Sequence, residues 1–194
     1  STETLTLLVP LTFYLAIAYQ NEPFATCRAG LQKLLPMAIS WGAGYLFTWL
    51  SKWTIASVVL HENVFASALA QAGERINGET EITGFTKYPA AIIRNLNCIW
   101  PFNYAQAHGY LLILGVLLAL GMFYFLFRKE SVSPVLRLFL LPALVPYLRF
   151  VVLCNHSFIH YFFTYRAQFV TVLCLGFLFI YGLDDALIKK EWKK

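Results

Sequence analysis

Charge is scarce in this chain of 194 residues. Asp and Glu number 10, Lys and Arg 15, and together they make up 13% of it, against 59% hydrophobic and 17% aromatic residues. A soluble domain of this length could bury a sizeable core, but it would still need a charged surface, and this composition with a mean hydropathy of +0.61 does not provide one. The four cysteines, Cys27, Cys98, Cys154 and Cys174, show no CxxC or zinc-ligand spacing, so neither a redox dithiol nor a structural zinc is implied. Basic and aromatic residues are not interleaved in a way suited to RNA or DNA, and no nucleic-acid partner is expected. The chain opens "STETLTLLVP", without an initiator Met or a basic stretch ahead of the apolar run. We therefore expect no signal peptide, and read the chain as the C-terminal part of a longer polytopic protein.

What is present in quantity is long apolar runs. About 20 mainly apolar residues cross the hydrocarbon layer, and on that rule five runs qualify as candidate spans: Leu5 to Gln20, Leu34 to Val58, Tyr110 to Phe127, Val135 to Leu153 and Phe158 to Gly182. The expected fold is all-α: a single polytopic transmembrane bundle over residues 1–194, with short amphipathic helices in an outer loop over 61–108.

Arg28 and Lys33 follow the first span, Arg128, Lys129 and Arg137 lie around the third junction, and Lys189, Lys190, Lys193 and Lys194 end the chain. With five spans all three clusters fall on one side, which the positive-inside rule makes cytoplasmic. The net charge of +5 then faces anionic inner-leaflet lipid. Ser1, the segment His61 to His108 and the stretch "NHSFIHYFFTYR" fall outside. Cys98 and Cys154 share that outer side and can pair there.

Within the outer segment, Val64, Phe65, Ala68, Leu69, Ala72 and Ile76 recur at helical spacing. This predicts an amphipathic helix over "HENVFASALAQAGERI" with Phe65 and Leu69 on its apolar face. "NGETEITG" reads as a turn-rich loop, and a second short helix is expected around Ala90 to Leu96, closed by Trp100-Pro101. The two helices read either as packing elements at the membrane interface or as a lid over a site.

The costly residues inside apolar runs are Lys52, Arg137 and Arg149. Lys52 sits between Trp49 and Trp53, as a snorkelling residue in an aromatic belt would. Arg137 can reach the interface. Arg149 has more apolar chain ahead of it, with no Asp or Glu in its own run or the next, and should face protein, water or an anion. After it comes Asn155 to Arg166. In a continuous helix His156, His160 and Thr164 would share one face. Arg149, Asn155, His156, His160, Tyr165 and Arg166 are the candidate ligands for a lipid phosphate, because Arg binds phosphate bidentately and His donates N–H groups. Three other readings stay open: a helix anchor, a two-histidine metal site without a visible third ligand, and a glycosylation acceptor at Asn155 in "NHS".

The combination of "SWGAGYLFTWLSKWTIASVVL", "ENVFASALAQAGERING" and "NHSFIHYFFTYRAQ" leading into a last span resembles the C-terminal half of bacterial polytopic glycosyltransferases of the GT-C type. The resemblance implies a cell-envelope enzyme of the bacterial plasma membrane that takes a sugar from a polyprenyl-phosphate carrier at the outer face, with membrane lipids and that lipid-linked sugar as its partners. Such enzymes carry their catalytic carboxylate in a first outer loop. No residue of this chain takes that role, Glu3 being a poor candidate, and no cofactor is assigned within the chain. A transporter or flippase of an anionic lipid-linked substrate would use the same intramembrane Arg. A non-catalytic scaffold subunit would instead use the small-residue face at Gly42 to Gly44.

Overall fold

The structure is a computed structural model that describes residues 2–21, 23–79, 81–99, 121 and 132–191, with side chains to 182. The described residues are predominantly helical, without a strand. In chain order they form α1 (Thr2–Asn21), α2 (Cys27–Leu60), α3 (Val64–Asn77), a 3-10 turn (Gly84–Thr86), α4 (Lys87–Ile99), α5 (Pro134–Leu138), α6 (Leu140–Val152), α7 (Cys154–Ile159), α8 (Tyr161–Thr164), a second 3-10 turn (Tyr165–Gln168) and α9 (Phe169–Glu191). Three stretches are long and apolar enough to cross a membrane: Thr2–Asn21, Pro134–Val152 and Tyr161–Gly182. They mark the chain as a membrane protein and coincide with the first, fourth and fifth expected spans. The second expected span is the middle of α2, which is not among the three. Tyr110 to Phe127 lies outside the described residues, as does the Trp100-Pro101 stop.

The core is built where α1, α5, α6 and α9 meet the first turns of α2. Leu8, Leu11, Leu15, Leu34, Val135, Leu136, Phe139, Val170, Cys174 and Leu178 are buried together. Rings close its far end: Tyr19 stacks on Tyr181 at 4.3 Å, and Phe177 meets both Tyr181, at 5.6 Å, and Phe139, at 5.7 Å. Polar side chains inside this core spend their protons on backbone, as hydrocarbon surroundings require. Thr12 Oγ1 donates to Leu8 O at 2.8 Å and Thr171 Oγ1 to Ala143 O at 2.8 Å. Gly30 sits where α2 comes closest to α5, since a side chain there would run into Leu138 and Phe24.

Sequence rules account for the helix ends. Thr26 caps α2 by accepting from Ala29 N, and Asn63 caps α3 by accepting from Ala66 N, both at 3.1 Å. Pro142 has no N–H to offer Leu138 O, and the chain is interrupted next to it at Phe139. At 34 residues, α2 spans about 51 Å by the helical rise. Only Gly30 and Leu34 of it are buried, so most of its length stands clear of the core.

The amphipathic segment forms the helix its spacing called for, and the second short helix runs longer than expected, from Lys87. The apolar face of α3 is divided: Phe65 packs edge-on against Trp53 at 5.7 Å, while Leu69 stays 67% exposed. The reason is that α3 is held from two sides, by α2 and by α7, and not along one continuous face.

Candidate functional site at the interfacial hairpin

The chain between the last two candidate spans is not one helix. It breaks at Leu153 (φ −99, ψ 51) and again at His160 (φ −102, ψ 34). Near such breaks, carbonyls lose their helical donors and need others, and side chains of α4 supply them. Asn95 Nδ2 donates to Ser157 O at 2.8 Å and Arg94 Nη1 to Phe158 O at 3.3 Å. Gln168 Nε2 returns a bond to Asn95 O at 2.8 Å, and Tyr147 Oη donates to Gln168 Oε1 at 3.4 Å. The single proton of Thr164 Oγ1 has its shortest acceptor in Asn95 Oδ1, at 2.7 Å. Asn95, Ser157, Thr164 and Gln168 are all buried, so the network is shielded from water.

Of the residues singled out as phosphate ligands, His156 and His160 lie side by side, ring centroids 4.9 Å apart. His156 is half-buried and His160 exposed, whereas Thr164 is 1% exposed. The shared face expected for a continuous helix is therefore split by the break at His160. Asn155 is turned to α3, where its Nδ2 donates to Glu74 O at 2.8 Å. With 5% exposure it offers no acceptor for a glycan. Gly78 leaves the room this contact needs, because a Cβ there would meet Asn155 Nδ2. Tyr165 is half-buried, and the exposed Arg166 lies over the Phe163 ring at 5.3 Å. Arg149 is half-buried at the end of α6, and its Nη1 is buried without a hydrogen-bond partner.

The surroundings of Arg149 were not visible from its own apolar run. Glu3 of α1, Tyr45 of α2 and Arg75 of α3 all stand within electrostatic range of it. The carboxylate missing from the last two runs is thus brought in by α1, and Arg75 adds a second cation. Tyr45 belongs to a row of rings at every fourth position of α2: Trp41 and Tyr45 at 5.0 Å, Tyr45 and Trp49 at 6.0 Å, Trp49 and Trp53 at 5.6 Å. Lys52 lies over Trp49 at 5.3 Å, as its aromatic neighbours suggested. The spacing of the rings was legible in the sequence. Their approach to Arg149 was not, because only the packing of α2 beside α1 and α3 decides it.

Burial pushes His156 down to about 4 from its ordinary 6.5, with His160, Arg149 and Arg75 acting in the same direction. At neutral pH its imidazole is uncharged and donates one N–H. The site can therefore hold an anion through guanidinium groups with a neutral His beside them. Among the described residues no group of three His, Cys, Asp or Glu could hold a metal ion. Cys98 and Cys154 are free thiols, as are Cys27 and Cys174.

Two outcomes are expected. Asn95→Leu puts an apolar group in place of the amide and strips Ser157 O of its 2.8 Å donor, while Thr164 Oγ1 keeps His160 O at 3.1 Å; a buried group that loses its partner costs about 1–3 kcal/mol. Thermal unfolding in detergent should fall accordingly, while Gln71→Leu on the exposed side of α3 should leave it unchanged. Acid should also loosen the hairpin. The fold favours neutral His156, so this contribution is complete above pH 6.5 and is lost as pH falls towards 4. The melting temperature should drop between pH 6.5 and 5 in the native chain and drop less in His156→Gln.

Compared with known proteins, the chain matches no family model, no curated sequence and no solved structure.

Proposed function

We propose that this chain is the membrane part of a cell-envelope glycosyltransferase that draws on a polyprenyl-phosphate-linked sugar at the outer face of the bacterial plasma membrane, and that Arg149 receives the phosphate of that donor. The observation that carries the reading is the buried, unpartnered Nη1 of Arg149. A guanidinium in this setting is costly unless an anion meets it. Glu3 brings one negative charge into range and Arg75 a second positive one. With His156 neutral, Glu3 does not outweigh the two guanidinium groups. A phosphate satisfies both the missing hydrogen bonds and the surplus charge, and an Arg fork binds it bidentately. His156 and His160 stand next to this spot, while Asn155 serves to hold α3.

The transfer of a sugar rests on the resemblance to GT-C enzymes. The placement of the outer loop rests on five spans and a cytoplasmic C-terminus. A scaffold role is favoured by one observation, the open flank of α2 at Gly42 and Gly44, where a Cβ would meet nothing within 4 Å. A small-residue flank of that kind suits close packing against another helix.

Binding of polyprenyl phosphate, followed by native mass spectrometry, tests the reading. Arg149→Lys keeps the charge but loses the fork and should weaken binding about three- to tenfold. Arg149→Leu should weaken it by about tenfold or more, the range of charge-assisted hydrogen bonds. Unchanged affinity in both variants overturns the assignment. The topology is checked by single cysteines, in a background without Cys27 and Cys98, at the exposed Phe85 and after Lys194. They should label from opposite sides of the membrane, and labelling from the same side removes the five-span arrangement.

A further inference from the structure

A second feature of the hairpin involves other residues. A cavity of about 540 Å³ is lined by Glu79, Glu81, Arg94, Phe158, Ile159 and Tyr161. The Arg94 guanidinium is fixed in place, lying over the Phe158 ring at 4.3 Å and the Tyr161 ring at 4.9 Å, with one N–H spent on Phe158 O. The fork has further N–H groups for a ligand. Two carboxylates, both exposed, form the other polar part of the lining. Among the described residues no ion pair joins either of them to Arg94. The nearby cation Lys87 is turned to Gly78 O at 2.9 Å.

Opposite charges that share a cavity without neutralising each other are complementary to a ligand that carries both signs. The depth of the cavity narrows the choice. Residues 153–160 connect the candidate spans Pro134–Val152 and Tyr161–Gly182, so Phe158 and Ile159 lie at the edge of the bilayer whichever way the chain is oriented. Ile159, 44% exposed, adds an apolar wall. Lipid headgroups occupy that level, and an Arg fork matches phosphate oxygens.

We infer that this cavity binds an aminoethyl phosphate group, its ammonium against Glu79 and Glu81 and its phosphate against Arg94. Phosphatidylethanolamine presents this group at the membrane surface, and free phosphoethanolamine presents it in solution. The site shares no side chain with the one around Arg149 and stands independently of the function proposed for that one.

The test uses the full chain in nanodiscs of equal phosphatidylethanolamine and phosphatidylglycerol, which share the phosphodiester and differ in the ammonium. Retained lipid is counted by native mass spectrometry. The native chain should prefer phosphatidylethanolamine about three- to fivefold, the scale of exposed ion pairs. Glu79→Gln with Glu81→Gln should bring the ratio to about one and leave both unfolding temperature and polyprenyl phosphate binding unchanged, since these carboxylates are exposed and outside the core. Arg94→Gln should reduce retention of both lipids. Competition by millimolar phosphoethanolamine would identify the free compound as a ligand too, and selectivity without such competition would assign the site to the lipid. Equal retention of the two lipids by the native chain, or a preference that survives in the double Gln variant, overturns the inference.

Discussion

Asn95 bridges two structures: a helix broken beside the bilayer and the short helix α4 packed against it. Each break in the hairpin frees carbonyls where water is scarce, and a buried polar group without a partner costs more than an average hydrogen bond returns. The Asn95 side chain donates to Ser157 O and accepts from Thr164, and its backbone carbonyl accepts from Gln168, so one residue resolves that problem. The arrangement around the hairpin follows from this docking. It fixes the register of α4 against α7 and α8, and that register puts Arg94, the preceding residue, over two aromatic rings.

The same breaks explain how so many polar side chains are kept within a few turns. A straight helix would align His156, His160 and Thr164. The kink at His160 sends Thr164 inward to the network and leaves His160 on the surface beside His156. Asn155 is given to α3 and Arg149 to the junction of α1, α2, α3 and α6. Of the polar residues in the hairpin, some hold the scaffold and others are left over for ligands. The ones left over are recognisable because burial and hydrogen bonding do not account for them.

Helix α2 connects these features to the membrane. It is far longer than its contacts with the core require, and its row of rings leads from Thr6, where Trp41 Nε1 donates at 3.3 Å, past Tyr45 to Phe65 of α3. Rings that touch at every fourth position stiffen this face of the helix. They also give the Arg149 region an apolar aromatic flank.

The sequence by itself determined the membrane character, the helical class, three of the candidate spans to within a few residues, and the two short helices α3 and α4 between them. Each of these depends on local quantities: apolar run length and spacing near 3.6 residues. It also marked Arg149 as an unbalanced charge, since that follows from its own neighbours in the chain. Only the tertiary structure decided where the balance comes from and what the hairpin's polar residues do. Glu3 and Arg149 are far apart in sequence, as are Asn95 and Ser157, and no periodicity links either pair. Their meeting depends on the helix breaks at Leu153 and His160, where ψ turns positive, and on the register in which α4 settles, both set by packing and hydrogen-bond satisfaction across the whole fold.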